Sequence, residues 1–372
     1  MPSVEGQVPE GTTTAYFWIN AFNSKTVDEL KAYFERWQEE GVAVDGVGFD
    51  VRNNTGGNLT NAMHVIDYLC PVGPIASQQN KDGTVTTLET SDASEVELPM
   101  VVLVNGNTAS ASEIVAGALQ DLDRAVLIGQ RSFGKGLVQT TRPLGYNTML
   151  KLTTAKYYIP SGRCIQAIDY SHSQEGSVKA IPDSLITEYE TRAGRKVYDG
   201  GGIMPDIRTE PEYISRFAMT LYALGFIEDF GDEYVRRHPG QQIDIRTFSI
   251  TDGDYAEFAE FMKDKEVPYE SDTRRALKKL REAAKTDRFE EVEQQIAAID
   301  STLRDDTATN LETYRKEIVE SINNDIVLRH GYSEGVIEHS LPDDGDVLKA
   351  IEILGNGQEY ARIVTEQDTP RK

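Results

Sequence analysis

The chain has 372 residues, of which 39% are hydrophobic, and its formal net charge at pH 7 is -23. That length allows two domains with a substantial core. So negative a chain argues against nucleic-acid binding, which needs Lys and Arg to neutralise phosphates, and against docking on an anionic membrane surface. No stretch of about 18 apolar residues could span a bilayer.

Residues 1–13 form a polar stretch without the apolar run of a signal peptide, so we expect any export signal to be absent from this chain. The two cysteines, Cys70 and Cys164, match no metal-binding spacing. A disulfide between them is one interpretation, and two buried free thiols are the favoured one.

Strand and helix signals alternate through the first part of the chain. Aromatic and β-branched runs predict strands, and apolar residues at helical spacing predict helices. In chain order we expect strands at 15–19, 47–51, 100–104 and 125–128, with helices at 26–40, 59–69 and 110–122 between them. This repetition predicts an α/β core in which helices cover a largely parallel sheet. Two more strands are expected at 137–142 and 149–158, around a turn at 144–147.

Beyond about residue 210 the sequence becomes heavily charged and amphipathic, which is typical of helices with one solvated face. We expect helices at 213–230, 255–265, 272–285, 289–303 and 311–328. The predicted organisation is therefore a polar N-terminal stretch, an α/β core, a helical region and a polar tail, at residues 1–13, 14–210, 211–366 and 367–372.

Ser110 is the first candidate functional residue. It stands where the strand at 100–104 turns into a helix, near unpaired backbone N–H groups and the positive end of the helix dipole. These groups stabilise negative charge on a substrate oxygen. Because Glu113 follows three residues later, the segment also satisfies a capping box, the favoured interpretation of this segment alone. Ser112 is a weaker nucleophile candidate, since it projects from another face of the helix.

Lys135 is the second candidate. It lies between Gly134 and Gly136, ahead of an apolar strand, unlike the lysines of a solvated helix face. A serine nucleophile needs a base, and none of the five histidines suggests a Ser-His-Asp arrangement. A desolvated lysine can accept the serine proton, and Gln139 could orient its amine if the loop folds back. On this segment alone, a solvated lysine at a loop tip is the simpler interpretation.

The segment from Gly129 to Lys135 also matches the phosphate-binding loop pattern as far as the lysine. That pattern continues with Ser or Thr and then a helix, because the hydroxyl binds magnesium. Here Gly136 and a predicted strand follow instead. The sequence therefore argues against a nucleotide site.

Five segments, taken in order, resemble the signatures of the carboxy-terminal processing peptidases, the S41 serine peptidases with a Ser-Lys dyad. They are residues 50–57, 108–114, 133–139, 158–166 and 201–206. The resemblance implies an α/β fold with a crotonase/ClpP-like core of β-sheet covered by helices, additional β-strands and a C-terminal all-α region. The helical region itself resembles an extension found in Bacteroidetes-like members.

The same resemblance implies roles for individual residues. Ser110 would be the nucleophile, Lys135 the general base and Gln139 the residue that positions the lysine. The chain would then be a serine endopeptidase that cleaves unfolded or tailed proteins near their C-termini through an acyl-enzyme. No metal or organic cofactor is implied, and homo-oligomers are possible.

The oxyanion hole implied by the resemblance consists of backbone N–H groups. One belongs to Ala111, and the other to the turn formed by Gly56 and Gly57. Glycines at these two positions also fit a tight turn that requires positive φ. The two interpretations are compatible, since a turn that approaches a substrate closely needs the same freedom.

One departure from the family leaves alternatives open. Members usually carry a PDZ-like peptide-binding domain before the core, and here only the polar stretch precedes it. A non-catalytic peptide-binding or scaffold protein is therefore the competing hypothesis, and an acyl hydrolase acting on small esters is a third. As most members are exported, we expect the periplasm or cell envelope.

Overall fold

The structure, a computed structural model, describes residues 2–71, 73–91, 96–169, 179–180, 186–211, 213–304 and 306–365. The expected polar tail at 367–372 lies outside the described residues. The chain forms two compact units. The first comprises Met1–Pro211 together with Asp343–Lys372, and the second comprises Glu212–Pro342.

The described strands all lie in the first unit. In chain order they are β1 (Val4–Gln7), β2 (Thr14–Ile19), β3 (Gly46–Asp50), β4 (Pro74–Asn80), β5 (Val85–Glu89), β6 (Met100–Val104), β7 (Ala125–Gly129), β8 (Leu137–Gly145), β9 (Thr148–Tyr158), β10 (Ile168–Asp169), β11 (Lys179–Ala180), β12 (Glu188–Glu190), β13 (Lys196–Tyr198) and β14 (Ile207–Arg208). The helices of this unit are α1 (Thr26–Glu40), α2 (Leu59–Leu69), α3 (Ala111–Asp121), α11 (Gly345–Leu354) and α12 (Gly357–Thr365).

A six-stranded sheet in the order β1-β2-β3-β6-β7-β14 forms the centre of this unit. Neighbouring strands from β2 to β14 are parallel, and β1 is antiparallel to β2. This confirms the predicted α/β class with a largely parallel sheet. The expected polar stretch at 1–13 is not separate from the core, because residues 4–7 within it form β1 and Val4 is buried.

Helices cover both faces of this sheet. Leu30 of α1, several residues of α2 and α3, and Val102 of β6 share one large hydrophobic core. Because adjacent strand residues point to opposite faces, the buried Val101 faces the other side, where α11 contacts β3, β6 and β7. The sequence-based division grouped residues 343–366 with the helical region, whereas in the structure they pack on the sheet of the first unit.

A second sheet, antiparallel and in the order β5-β4-β9-β8, ends in a long hairpin formed by β8 and β9. Its turn residues Tyr146 and Asn147 have φ values of 48° and 56°, as a two-residue hairpin turn requires. Both strands extend closer to the turn than predicted. Every residue from Thr141 to Leu152 is exposed, so both faces of the hairpin tip are in solvent.

The second unit is helical, as predicted. Its helices are α4 (Arg216–Ala223), α5 (Phe226–Arg237), α6 (Asp252–Phe261), α7 (Asp272–Asp287), α8 (Glu290–Thr302), α9 (Thr307–Thr313) and α10 (Arg315–Ser340). The single helix expected at 213–230 is divided, since Gly225 adopts a φ of 77° between α4 and α5. Phe217, Phe230 and Phe258 lie in a core shared by several of these helices.

The two cysteines do not pair in the structure, where both are free thiols. Burial raises the pKa of the Cys70 thiol to about 12, so it stays protonated and unreactive at neutral pH. Within the described ranges, no helix is both long enough and apolar enough to cross a membrane.

Packing of α11 on the sheet gives a stability test. Ile353 is 2% exposed, so Ile353→Ala should lower the free energy of unfolding by about 2–5 kcal/mol through lost burial and a cavity. Leu348 on the same helix is 49% exposed, so Leu348→Ala should change it by less than about 0.5 kcal/mol. Urea unfolding measures both. Equal effects would contradict the docking of α11.

Candidate active site

The turn after β3 is fixed by Asn54, a buried residue. Its Nδ2 donates to the carbonyl of Ile19 at 2.7 Å, and its Oδ1 accepts the N–H of Gly56 at 2.9 Å. The Asn54 carbonyl accepts the N–H of Ala109 at 3.0 Å. A Cβ on Gly56 would lie 3.1 Å from the Cβ of Ser110, so the glycine turn lies directly against the candidate nucleophile.

Ser110 immediately precedes α3 and has an unusual backbone conformation. Its φ and ψ are 61° and -119°, whereas residues that cap helices normally lie in the β region. Positive φ in a residue other than glycine is strained, and such strain concentrates at functional sites. Ser110 is partly exposed, while Ser112 is completely buried. Of these two serines, only Ser110 is accessible to a substrate.

The Glu113 carboxylate, which is completely buried, joins the serine turn to the lysine loop. Its Oε2 accepts the backbone N–H groups of Ser110 and Lys135, each at 2.8 Å. Its Oε1 accepts the N–H of Gly134 at 2.7 Å and the hydroxyl of Ser132 at 2.5 Å. The backbone nitrogens of the two predicted catalytic residues therefore bond to a single oxygen atom.

Burial raises the pKa of Glu113 above its ordinary value of 4.5, because desolvation disfavours the carboxylate. The hydrogen bonds from Ser132, Lys135, Gly134 and Ser110 act in the opposite direction and only partly compensate. From the sequence Glu113 was visible only as half of a capping box. The stronger signal, available only from the structure, is that it lies on a helix whose residues are all buried.

The backbone of the lysine loop is held on both sides of Lys135. Gly136 donates to Oε1 of Gln166 at 2.8 Å, and its carbonyl accepts the N–H of Tyr157 at 2.9 Å. The Gly134 carbonyl accepts the N–H of Ala167 at 2.9 Å. A Cβ on Gly134 would lie 2.2 Å from the Cβ of Ala167, so packing requires glycine there.

The last signature, residues 201–206, supports the same loop. Ile203 donates to Oγ of Ser132 at 2.6 Å, and its carbonyl accepts the N–H of Ser132 at 3.0 Å. Gly202 has a φ of 75°, and a Cβ there would approach the Ser132 carbonyl to 2.6 Å. Sequence reasoning found this motif but assigned it no role. Its contacts position Ser132, which in turn donates to Glu113.

The side chains of the predicted catalytic residues are not assembled in this structure. Lys135 is exposed, which differs from the desolvated pocket expected for a general base. Gln139 is also exposed and lies on β8 opposite Thr153, so the loop does not fold back. Within the described part of the chain, no hydrogen bond joins the side chains of Ser110, Lys135 and Gln139.

The structure reduces the number of candidate donors for the predicted oxyanion hole. The N–H of Gly56 donates to Asn54, so it is already used. Among the described residues, the N–H groups of Ala111 and Gly57 have no hydrogen-bond partner. A Cβ on Gly56 would lie 3.1 Å from the nitrogen of Ala111, which shows that the turn and the start of α3 are adjacent. Ala111 and Gly57 are therefore the available donors.

An ion-pair network that the sequence did not reveal lies beside the glycine turn. Arg52 donates to Asp50 and Asp344, each at 2.6 Å, and pairs with Asp346 at 3.2 Å. Tyr16 donates to Asp50 at 2.7 Å. Burial, followed by the charge of Asp50, raises the pKa of the Tyr16 hydroxyl well above its ordinary value of 10.0. The start of α11 is thus tied to the turn, although Arg52 and Asp344 are 292 residues apart.

A strained serine at the start of a helix that follows a buried parallel strand, beside a glycine turn, is similar to the nucleophile turn of serine hydrolases with an α/β fold. Residues 13–172, which contain every predicted site residue, match the family model described as peptidase family S41. Residues 217–354 match the model described as probable PDZ-protease, C-terminal helical domain. The predicted resemblance to the carboxy-terminal processing peptidases of family S41 is confirmed.

Two curated relatives are similar to part of this chain. The chain is 44% identical over 171 residues to a carboxy-terminal-processing protease of Bartonella bacilliformis, covering 44% of this chain and 38% of that protein. A carboxyl-terminal-processing protease of Synechocystis sp. is 37% identical over 178 residues, 48% of this chain and 39% of that protein. The chain therefore spans about two fifths of these relatives. The solved photosystem II D1 C-terminal processing protease matches 58% of this chain and 50% of its own, with 27% identity and a TM-score of 0.44.

Titration of Glu113 gives a pH test. Because its pKa is raised, the folded chain holds this proton more tightly than the unfolded chain. The resulting stability is complete below pH 4.5 and is lost as the pH rises through the raised pKa. Glu113→Gln has no ionisable group at this position. As the pH rises through this window, the free energy of unfolding of the parent should therefore fall relative to that of the variant. Chemical denaturation at successive pH values measures the difference, and a constant difference would contradict the assignment.

Asp344 gives a second stability test. Asp344→Asn keeps a capping side chain for α11 but removes the negative charge that Arg52 contacts, which should cost about 1–2 kcal/mol of unfolding free energy. Asp343 is exposed, so Asp343→Asn should change stability by less than about 0.5 kcal/mol. Urea unfolding compares them, and indistinguishable midpoints would argue against the network.

Proposed function

We propose that this chain is a serine endopeptidase in which Ser110 is the nucleophile and Lys135 the general base. The observation that supports this most is the shared Glu113 carboxylate, which accepts the backbone N–H groups of both residues. Glu113 thereby holds the start of α3 next to the glycine-flanked lysine loop, although Ser110 and Lys135 are 25 positions apart in sequence. The matches to carboxy-terminal-processing proteases support the same reaction class.

The chemistry follows from these positions. Ser110 Oγ attacks the peptide carbonyl carbon while its proton passes to the neutral amine of Lys135. The negative oxygen of the tetrahedral intermediate accepts from the N–H groups of Ala111 and Gly57. When the C–N bond breaks, Lys135 returns the proton to the leaving amine and an ester on Ser110 remains. Water then attacks this ester and gives a proton to Lys135, which passes it to Ser110 Oγ as the C–O bond breaks and the new carboxyl end is released.

Lys135 is exposed in the structure, so the free amine is solvated. We infer that a bound polypeptide covers the amine, because removing water disfavours the ammonium and allows the proton transfer. The loop backbone is already fixed by Glu113 and Gln166, so only the side chain of Lys135 has to reorient. The role that the resemblance implies for Gln139, holding the amine through its side-chain oxygen, would require Gln139 to move as well, because it is exposed on β8 opposite Thr153.

The substrates proposed are unfolded or tailed proteins, cut near their C-termini with apolar residues favoured. This assignment rests on the resemblance to carboxy-terminal processing peptidases. The same resemblance favours the periplasm or cell envelope as the location. No cofactor takes part in the proposed reaction.

A non-catalytic peptide-binding role is the alternative. It is favoured by one observation: within the described residues, the side chains of Ser110 and Lys135 share no hydrogen bond. A scaffold that only binds peptides would have no need for the strained Ser110 backbone. The two functions differ in whether bound polypeptide is cut.

Digestion of an unfolded, apolar-tailed protein tests the proposal. Ser110→Ala and Lys135→Ala should each reduce the cleavage rate by about 10³-fold or more, since each removes a group that acts in the reaction. Fragments identified by mass would give the cleavage positions. A parallel assay with small esters would separate a peptidase from an acyl hydrolase.

Matched controls are available in the same chain. Ser112→Ala removes a buried hydroxyl that has no hydrogen-bond partner in the described residues, and Lys81→Ala removes an exposed lysine at the turn between β4 and β5. Both variants should cut at the parent rate. If the folded parent binds the unfolded protein but leaves it intact, the peptide-binding alternative replaces the peptidase.

A further inference from the structure

The charge of the chain is distributed very unevenly around the candidate site. From Arg124 to Ile168 the sequence carries seven Lys and Arg residues and no Asp or Glu, although the whole chain has 61 acidic residues and a net charge of -23. This acid-free segment contains the lysine loop and the complete hairpin of β8 and β9. Arg163 is buried and pairs with Asp121, and Arg124 is only partly exposed. The exposed members are the ones that attract ligands of the opposite charge. They are Arg131, Lys135, Arg142, Lys151 and Lys156.

The cations of the hairpin are available to a ligand. Arg142 and Lys151 are both exposed, and neither makes an ion pair within the described residues. Arg142 lies opposite Leu150 and Lys151 opposite Thr141, so the two cations project from opposite faces of the hairpin. A polypeptide lying along the hairpin would meet a positive charge on either face.

The hairpin also exposes apolar side chains. Leu144 and Met149 are 63% and 61% exposed, and Tyr146 at the turn is completely exposed. Phe133, two residues before Lys135, is 51% exposed. Leu144, Tyr146 and Met149 lie close together in sequence at the tip of the hairpin, and several exposed apolar side chains in one place are typical of a binding surface.

The outer edge of β8 supplies the backbone groups for docking. β8 is the last strand of its sheet and pairs only with β9 among the described strands. Arg142 and Pro143, which would discourage pairing, lie near the turn, so residues 137–141 have a free edge. That edge begins two residues after Lys135, and an extended segment paired with it would continue toward the candidate nucleophile.

We propose that the hairpin of β8 and β9 is the docking surface for an extended, acidic segment of the polypeptide substrate, which pairs with the edge of β8. This inference rests on the proposed function and adds a substrate preference to it. Acidic side chains contact Arg142 and Lys151, and apolar side chains between them contact the exposed leucines and Met149. The preference should weaken with added salt, since exposed charges are screened.

Binding to the Ser110→Ala chain tests the docking without requiring cleavage. The probes are two labelled unfolded peptides of identical length, one with a repeating Glu-Glu-Leu-Leu pattern, which presents acidic and apolar side chains on both faces of an extended strand, and one with Gln in place of each Glu. At low ionic strength the Glu peptide should bind about threefold to tenfold more tightly by fluorescence anisotropy. Two further versions of the Glu peptide carry methyl groups on the odd-numbered or on the even-numbered backbone nitrogens. One of the two should bind about tenfold more weakly, because its methyl groups replace the N–H groups that donate to β8.

Charge reversal on the hairpin should abolish this preference. Arg142→Glu combined with Lys151→Glu should make the Glu peptide the weaker ligand and leave binding of the Gln peptide within about twofold. Arg192→Glu is the matched control: Arg192 is exposed and its N–H donates to the carbonyl of Asp121, at the end of α3 opposite Ser110. The control should retain the parent preference.

The outcomes test the docking surface and the proposed peptidase activity separately. Equal binding of both peptides, or the same loss in the control, would overturn the docking surface. A change of sedimentation coefficient on charge reversal, with peptide binding unaltered, would assign the hairpin to a contact between copies of the chain and also overturn it. Tight, charge-dependent binding without cleavage by the parent chain would support the docking surface and contradict the peptidase.

Discussion

The buried carboxylate of Glu113 is the interaction on which the candidate site depends. Placing a carboxylate in a fully buried position is unfavourable unless several donors face it, and here four donors do. These donors come from the start of α3 and from the lysine loop. Neither segment could move away without leaving a buried charge partly unpaired, so the two are held together before any substrate arrives.

Further contacts build outward from this point. Gln166 and Ala167 fix the far side of the lysine loop, and Ile203 fixes Ser132. On the other side of Ser110, Asn54 shapes the glycine turn, and Arg52 ties that turn to α11 through Asp344. The site is therefore rigid in its backbone, while the Lys135 side chain remains in solvent. In the proposed reaction, substrate binding would complete an arrangement that the fold has largely prepared.

The hairpin of β8 and β9 differs from the rest of the first unit. Its tip is exposed on both faces, basic and partly apolar, whereas the central strands β3, β6 and β7 of the six-stranded sheet are completely buried. A hairpin whose tip buries so little surface contributes little to the stability of the fold. Its position directly after Lys135 makes it useful for holding a polypeptide, and its charge predicts which polypeptides it would hold.

The sequence alone determined the α/β class, the alternation of strands and helices, and the serine and lysine segments, since these depend on local periodicity and short motifs. It also predicted the helical second unit. It missed the return of α11 to the sheet, the Arg52–Asp344 pair and the role of Glu113, because each depends on residues far apart in the chain. Tertiary structure alone decided that Ser112 is buried, that the N–H of Gly56 is already used, and that Lys135 is exposed. Burial and hydrogen-bond partners follow from packing, and no local pattern specifies them.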